Sequence, residues 1–325
     1  MHRTGGPEVL KLVEVPAPTA GPGQAVVEAV AIGVGWPDVL IRNGEYRWMP
    51  PLPTSPGSDM SGRVVAIGPG VGPELMGAPV LMTARELKVR GGCYAEKLAV
   101  PADALFRLPE GLDLDCAVCL PNFQVAWNLI HEAPRGAPVS SVFINGAAGG
   151  VGSAAAQLAK AAGMTVFGSV SSDAKAAFAA RQGVDHPINY RDGDVVDRVL
   201  QLTGGRGVDL ALDHVAGPGF ADLLRLLAAW GTLVSYNASG GLPAGDLLGA
   251  LRRNGSRCPA IRIFEMHLYD DDRENRRRTM QSVIDAWTAG RISPVVSARL
   301  PLAEAGRAHA MVERGEALGK IILKP

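Results

Sequence analysis

The chain of 325 residues is poor in cysteine, with four, and has no net charge, since 32 Lys and Arg are matched by 32 Asp and Glu. Thiols at 93, 116, 119 and 258 are too few and too scattered for a disulfide framework, which predicts a reduced, cytoplasmic protein. Without a basic surplus there is no electrostatic footprint for nucleic acid or for an anionic membrane surface. The opening Met1-His2-Arg3-Thr4-Gly5-Gly6-Pro7 has no apolar signal core. The long uncharged stretch from Gly136 to Leu158 is interrupted by Asn145, serines and a glycine cluster, so it reads as strand, turn and helix, not as a membrane span. What is abundant is glycine, at 40 residues, and hydrophobic side chains, at 47%. The first demands tight turns and close backbone contacts; the second is ample for a buried core. The length suggests two domains.

Short apolar runs separated by turn residues dominate the first third: Val9 to Val13, Ala25 to Val34, Gly62 to Gly68 and Tyr94 to Val100. This pattern predicts an irregular β-barrel. A helix is predicted over Cys116 to Ile130. Strands and helices then alternate, with strands at Val142–Ile144, Thr165–Ser169, His186–Ile188, Val208–Asp213 and Gly231–Ser235. The intervening helices are expected at Val151–Ala162, Asp173–Gln182, Val195–Leu202 and Phe220–Leu227, and Ile261 to Leu268 is a candidate last strand. Such alternation specifies a parallel sheet with helical crossovers, a doubly wound α/β domain.

The most informative stretch is Val142-Phe143-Ile144-Asn145-Gly146-Ala147-Ala148-Gly149-Gly150-Val151-Gly152-Ser153. A buried strand runs into a glycine-rich turn that opens a helix. Small residues at Gly146, Ala147 and Gly149 let the backbone approach a pyrophosphate, Gly152 permits close packing of helix on strand, and the helix start at Gly150 and Val151 presents N–H groups to the anion. Ala147 stands where the first glycine of G-x-G-x-x-G is usual, with Ala148 beside it, so the strict fingerprint is broken. An NAD site places a carboxylate about 20 residues past the turn. Here that place falls on Ser169 to Ser171, where hydroxyls with Lys175 could hold a 2′-phosphate instead. NADPH is therefore the expected cofactor. Asp173 is the rival carboxylate, read more simply as a residue of the next helix's first turn. Asn237 and Ala238, in a polar loop after the fifth strand, are further candidate cofactor neighbours, because ligands of open α/β sheets bind at the carboxyl edge.

The turn Asn145 to Gly152, with Gly6-Pro7-Glu8-Val9-Leu10-Lys11-Leu12 upstream and Gly319-Lys320-Ile321-Ile322-Leu323 at the end, resembles the quinone oxidoreductase, or zeta-crystallin-like, branch of the medium-chain dehydrogenases/reductases. Pro37 to Tyr46, Pro56 to Gly62 and Gly92 to Glu96 are similar to that family in the same order. The resemblance implies a GroES-like β-barrel catalytic domain over 1–115, a Rossmann NADP-binding domain over 116–289 and a return to the first over 290–325. It further implies a nucleotide in the interdomain cleft and a homodimer through the Rossmann domain. Lys175 and Tyr190 would contact the 2′-phosphate and Lys320 would lie near the cleft. Two departures stand out. The strand that family members carry before Gly-Gly-Pro-Glu is nearly absent, which suggests a shortened start, and relatives place Asn where this chain has Gly35, which implies a reshaped substrate pocket.

Zinc is not expected. The alcohol dehydrogenase cousins use a Gly-His-Glu triplet where this chain has Gly57-Ser58-Asp59, no cysteine quartet exists, and Cys116-Ala117-Val118-Cys119 reads as buried helix cysteines. Without that Lewis acid, oxidation of a saturated alcohol loses its alkoxide stabiliser. Hydride addition to a conjugated acceptor needs only hydrogen bonds to the developing oxyanion. The expected reaction is NADPH-dependent reduction of a small quinone or α,β-unsaturated carbonyl. Tyr46 is the candidate catalytic donor, because the resemblance puts its segment at the cleft and a phenol is ordinarily protonated at neutral pH. Asp38 is read as a helix cap. Two alternatives remain: an enoyl-thioester reductase, since Asp38 to Tyr46 also resembles polyketide and fatty-acid enoyl reductase modules, and an NADPH-binding structural or sensory protein with little turnover.

Overall fold

The computed structural model describes residues 1–325. Two compact units divide the chain, Met1–Pro121 with Pro294–Pro325, and Asn122–Ser293. In chain order the strands are β1 (Gln24–Val34), β2 (Asp59–Ile67), β3 (Pro79–Thr83), β4 (Lys97–Pro101), β5 (Phe106–Arg107), β6 (Ser141–Ile144), β7 (Thr165–Val170), β8 (His186–Asn189), β9 (Val208–Asp213), β10 (Leu227–Ser235), β11 (Ala260–Ile263), β12 (Val296–Pro301) and β13 (Lys320–Lys324). The helices are α1 (Trp36–Asn43), α2 (Leu114–Ala117), α3 (Leu120–Trp127), α4 (Gly150–Ala161), α5 (Asp173–Arg181), α6 (Val195–Leu202), α7 (Leu247–Arg253), α8 (Arg273–Thr288) and α9 (Ala305–Glu313). None is long and apolar enough to cross a membrane.

The first unit is organised by β1. Its first half pairs with β4, its last residues with β13, and nearly its whole length with β2. Register shifts at Val26/Val27 and Ala29/Ala31 mark irregularities in the β1–β2 ladder; bulges of this kind bend a strand and let it serve different neighbours along its length. The strand order β12-β13-β1-β2-β3-β5 encloses a core that includes Val27, Ile32, Met60, Val80, Met82, Leu300 and Ile321. The apolar run from Val9 to Val13, expected as a strand, is not one. A 3₁₀ turn covers Pro7–Val9, and the exposed Leu12 and Val13 that follow pair with nothing in the sheet.

A buried arginine ties the start of the chain to its end. Arg42, 2% exposed, grips Glu313 of α9 with both terminal nitrogens at 3.2 and 2.6 Å, while its Nε donates to the Gly5 carbonyl at 3.0 Å. The arginine in turn holds the Glu313 carboxyl below the usual range.

The second unit holds six parallel strands in the order β11-β10-β9-β6-β7-β8. Numbered within the unit this is 3-2-1-4-5-6 read from β8, the dinucleotide-binding order, with its switch point between β6 and β9. Strands buried on both faces read as continuous apolar runs, as Val142-Phe143-Ile144 does here. The helix expected over Cys116 to Ile130 is broken into α2, α3 and a π turn at Asn128–Glu132. Pro121 explains the restart, since a residue without an N–H fits only the first turn of a helix. The Phe220–Leu227 segment is 3₁₀ up to Leu226, and Leu227 already begins β10. The Ile261–Leu268 strand stops at Ile263, because its partner β10 ends at Ser235 and the ladder runs out. Phe264 and Glu265 therefore follow the strand.

Replacing Arg42 with Met is expected to lower the unfolding free energy by about 2 to 4 kcal/mol, because the Gly5 carbonyl and Glu313 both lose their partner. Glu313→Gln keeps an acceptor for the buried guanidinium, which also retains Gly5 and Asn43, but removes its counter-charge, and should cost less than Arg42→Met, about 1 to 2 kcal/mol. Urea titrations of the two variants check this ordering; equal losses would contradict it.

Candidate functional site

The turn between β6 and α4 is built by the absence of side chains. Gly146 has φ +75°, a left-handed conformation that only glycine adopts at no cost. A Cβ on Gly152 would lie inside the van der Waals shell of the Gly146 carbonyl and 3.0 Å from the Ala147 Cα. The helix start can thus lie directly on the turn. Ala147 and Ala148 are buried, so they line the turn with backbone while their methyls pack inward; Gly149, Gly150 and Val151 are half-buried at the mouth. Helices α5, α6, α7 and α8 each have their first turn capped by a side chain, from Ser172, Asp194, Asp246 and Asp272. Gly149 provides none for α4. First-turn N–H groups have no intrahelical acceptor, and here no side chain takes their place, so the turn suits an anion.

The candidate residues for the 2′-phosphate gather at the carboxyl ends of β7 and β8. Ser171 follows β7, Lys175 lies in the first turn of α5 with its N–H on Ser172 Oγ at 3.3 Å, and Tyr190 follows β8. The Tyr190 N–H donates to the Val170 carbonyl at 3.0 Å, which brings the two strand ends together, and its side chain is 52% exposed. Asp173 is the first residue of α5 and accepts from Asn189 Nδ2 at 3.1 Å. Ser169 requires a correction. It is buried, donating to Asn145 Oδ1 at 2.5 Å and accepting the Gly146 N–H at 3.0 Å. Both roles of its hydroxyl are spent on bracing the turn, so it is not a phosphate ligand.

On the other side of the switch point stands a polar group that sequence reading missed. Asn145 Nδ2 donates to the buried Asp213 carboxylate at 2.6 Å, and Asp213 also accepts the Ala216 N–H at 2.7 Å. His214 follows β9 and Tyr236 follows β10, their rings 6.0 Å apart. Burial, aided by Asp213, pushes the Tyr236 phenol well above its ordinary range, and burial pulls the His214 imidazole down. Asn237 and Ala238 are exposed beyond Tyr236, where Asn237 Oδ1 accepts the Ala238 N–H at 2.8 Å. The signal for Asp213-His214 was their place at a strand's carboxyl end, one strand beyond the glycine turn.

The remaining candidates belong to the first unit. Tyr46 follows α1, half-buried, its ring 5.8 Å from that of Trp48; the guanidinium groups of Arg47 and Arg90 lie 5.1 and 4.9 Å from the Trp48 ring centre. Lys320 requires the second correction. Expected near a cofactor, it is 4% exposed and donates to Asp59 Oδ2 at 3.2 Å. Gly33 makes room for it, since a Cβ there would come within 2.7 Å of Lys320 Cε. Asp38 does accept the Gly35 N–H at 2.8 Å, as a capping residue should, yet it is fully buried and also accepts from Ser58 Oγ at 2.8 Å. Burial, then the neighbouring Asp59, pushes its carboxyl up to about 6 against the pull of Lys320. Burial works against the Lys320 ammonium, but Asp59 and Asp38 outweigh it and hold its pKa above the usual value. Ser58 and Asp59 thus belong to a buried ion cluster whose cation is an amine. No three His, Cys, Asp or Glu side chains are placed to hold a metal ion.

Comparison with known proteins agrees with this geometry. Residues 21–110 match the alcohol dehydrogenase GroES-like domain and residues 182–323 match the zinc-binding dehydrogenase family. The mouse synaptic vesicle membrane protein VAT-1 homolog is 30% identical over 338 aligned positions, covering 99% of this chain and 82% of the mouse protein. Rat quinone oxidoreductase is 30% identical, covering 98% of this chain and 94% of the rat protein. The structure of Escherichia coli quinone oxidoreductase complexed with NADPH superposes with a TM-score of 0.87 at 30% identity, covering 100% of this chain and 98% of that one.

The raised Asp38 pKa has a defined sign. The folded state holds this proton up to about pH 6, whereas an unfolded Asp releases it near 3.8, so stability falls as pH rises through that window and the penalty is complete above it. Asp38→Asn removes the titration. Between pH 4 and pH 8 the variant should gain on the parent by roughly 1 to 3 kcal/mol, read from urea midpoints. Parallel pH profiles would contradict the assignment.

Proposed function

The chain belongs to the zinc-independent quinone oxidoreductase branch of the medium-chain dehydrogenases/reductases, and from that premise we propose that it is an NADPH-dependent reductase of quinones or α,β-unsaturated carbonyls. The observation that carries the reading is the uncapped glycine turn at the switch point, between β6 and α4. Backbone N–H groups of Gly150, Val151 and Gly152 hold the diphosphate, with Gly146, Ala147, Ala148 and Gly149 shaping the approach. Ser171, Lys175 and Tyr190 hold the 2′-phosphate, Lys175 as the point charge. Asn237 and Ala238 border the cofactor from the loop after β10. NADPH bound in this way supplies a hydride.

The chain's own contribution to the chemistry is to orient the acceptor and to stabilise charge. As hydride reaches a quinone or enone, negative charge develops on the carbonyl oxygen, and a hydrogen bond placed there lowers the barrier. Tyr46 Oη is the donor assigned to that oxygen, with Trp48 as the flat apolar surface beside it. A quinone becomes a hydroquinone and an enone a saturated ketone by one hydride and one proton. A second reading, reduction of an enoyl thioester, is favoured by the Arg47 and Arg90 guanidinium groups around Trp48, since such carriers are phosphorylated. Association as a homodimer is supported by the open edge of β11, where Ile263 is 69% exposed.

Single-turnover assays with NADPH and, in turn, a quinone, a small enone and an enoyl thioester separate the readings; oxidation of NADPH by the thioester alone would sink the first. Lys175→Ala should weaken NADPH at least about tenfold while changing NADH little, because only the former carries the phosphate. Equal losses for both nucleotides in a fluorescence titration would contradict the 2′-phosphate assignment.

A further inference from the structure

The switch point is flanked by two strand ends. The glycine turn leaves β6 on one side, and His214 leaves β9 on the other, next to it in the sheet. The imidazole lies directly on the turn: a Cβ on Gly146 would overlap its Nε2 and come within 3.0 Å of its Cδ2. Ser239 fixes the ring from the far side. Its Oγ is 3.1 Å from the His214 carbonyl and 3.4 Å from Nδ1, and its N–H donates to the same carbonyl at 3.1 Å.

These distances select a tautomer. The serine hydroxyl has one proton, and the carbonyl, which can only accept, takes it at the shorter distance. Ser239 Oγ is then an acceptor toward Nδ1, so Nδ1 carries the ring proton. Nε2 is left as a lone pair, facing the turn without a hydrogen bond from the chain. Burial keeps the imidazole neutral by lowering its pKa. A lone pair cannot bond a phosphate oxygen, which is itself an acceptor; it requires a hydroxyl or an N–H.

The order of the strands says which hydroxyl. With the 2′-phosphate held at the ends of β7 and β8 and the diphosphate over the turn after β6, the dinucleotide runs along the sheet edge toward β9. We infer that His214 is a cofactor-binding residue whose Nε2 accepts a hydrogen bond from a hydroxyl of the nicotinamide-side ribose. The inference rests on the NADPH reading of the site and deepens it. His214 also makes Gly146 obligatory, since turn and imidazole occupy adjoining space.

The test compares a whole dinucleotide with its adenosine half. His214→Phe keeps a ring against Gly146 but removes the lone pair; His214→Gln returns a carbonyl acceptor on a flexible arm. Dissociation constants for NADPH come from its fluorescence, and those for 2′,5′-ADP from calorimetry, on the full chain. For His214→Phe, NADPH should weaken by about three- to tenfold, the worth of a neutral hydrogen bond, with 2′,5′-ADP unchanged within about twofold. His214→Gln should recover part of the loss. Unchanged NADPH affinity in His214→Phe overturns the inference, and so does an equal loss for 2′,5′-ADP, which would mark a disturbed turn. If the parent protein binds neither nucleotide, the cofactor reading itself fails, and this inference with it.

Discussion

Everything proposed for the second unit depends on one steric fact, that Gly152 has no side chain to hold α4 away from the Gly146 carbonyl. Close approach sets the helix start against the end of β6, directs its uncapped N–H groups toward the switch point and buries the methyls of Ala147 and Ala148. The broken fingerprint then ceases to be an anomaly. Alanine at 147 and 148 is tolerated because those positions contribute backbone to the mouth and bury their Cβ atoms, whereas 146 and 152 have no such freedom. Ser169 and Asn145 complete the arrangement by hydrogen bonds that hold the turn's first amide and link it to Asp213 across the switch point.

The first unit solves a different problem, how to keep charges in an apolar barrel. Its answer is mutual neutralisation. Lys320 stands beside Asp59 and in the field of Asp38, and Arg42 is clamped by Glu313, whereas the Tyr94 hydroxyl and the His309 ring nitrogen, 2.8 Å apart, are both held uncharged by burial. Asp38 is fully buried beside Asp59, with which it shares the Lys320 cation, and its carboxyl accordingly resists ionisation. Burial, with the same two acids adding to it, pushes the Cys93 thiol up, leaving it a poor nucleophile and a poor metal ligand.

The parallel sheet was legible in the sequence because its strands are short apolar runs spaced by helical periods, and the glycine turn because its spacing is dictated by sterics. Element ends were less so. The 261–268 strand looked long because its apolar pattern continues, while its true length is set by the partner β10, which no local pattern reveals. Lys320 misled for a similar reason. The resemblance put this lysine near the cleft, and only the pairing of β13 with β1, nearly 290 residues apart by number from Gly33 to Ile322, places it beside Asp59. Ser169 was chosen for its hydroxyl, but a hydroxyl says nothing of which partner it has already taken. His214 escaped notice because a lone histidine after a strand has no motif; its position relative to Gly146 exists only once β6 and β9 are neighbours.

The place of Lys320 has a consequence for how the protein is made. Residues 122–293, the whole second unit, are synthesised before β13 emerges, so that unit can close on its own contacts during translation. The first unit cannot. Until the last strand arrives, β1 has an open edge at Ile32 to Val34, and Asp38 and Asp59 face a core without their cation. The order of assembly is thereby written into the ion cluster: the barrel that begins the chain is the last part of it to become stable.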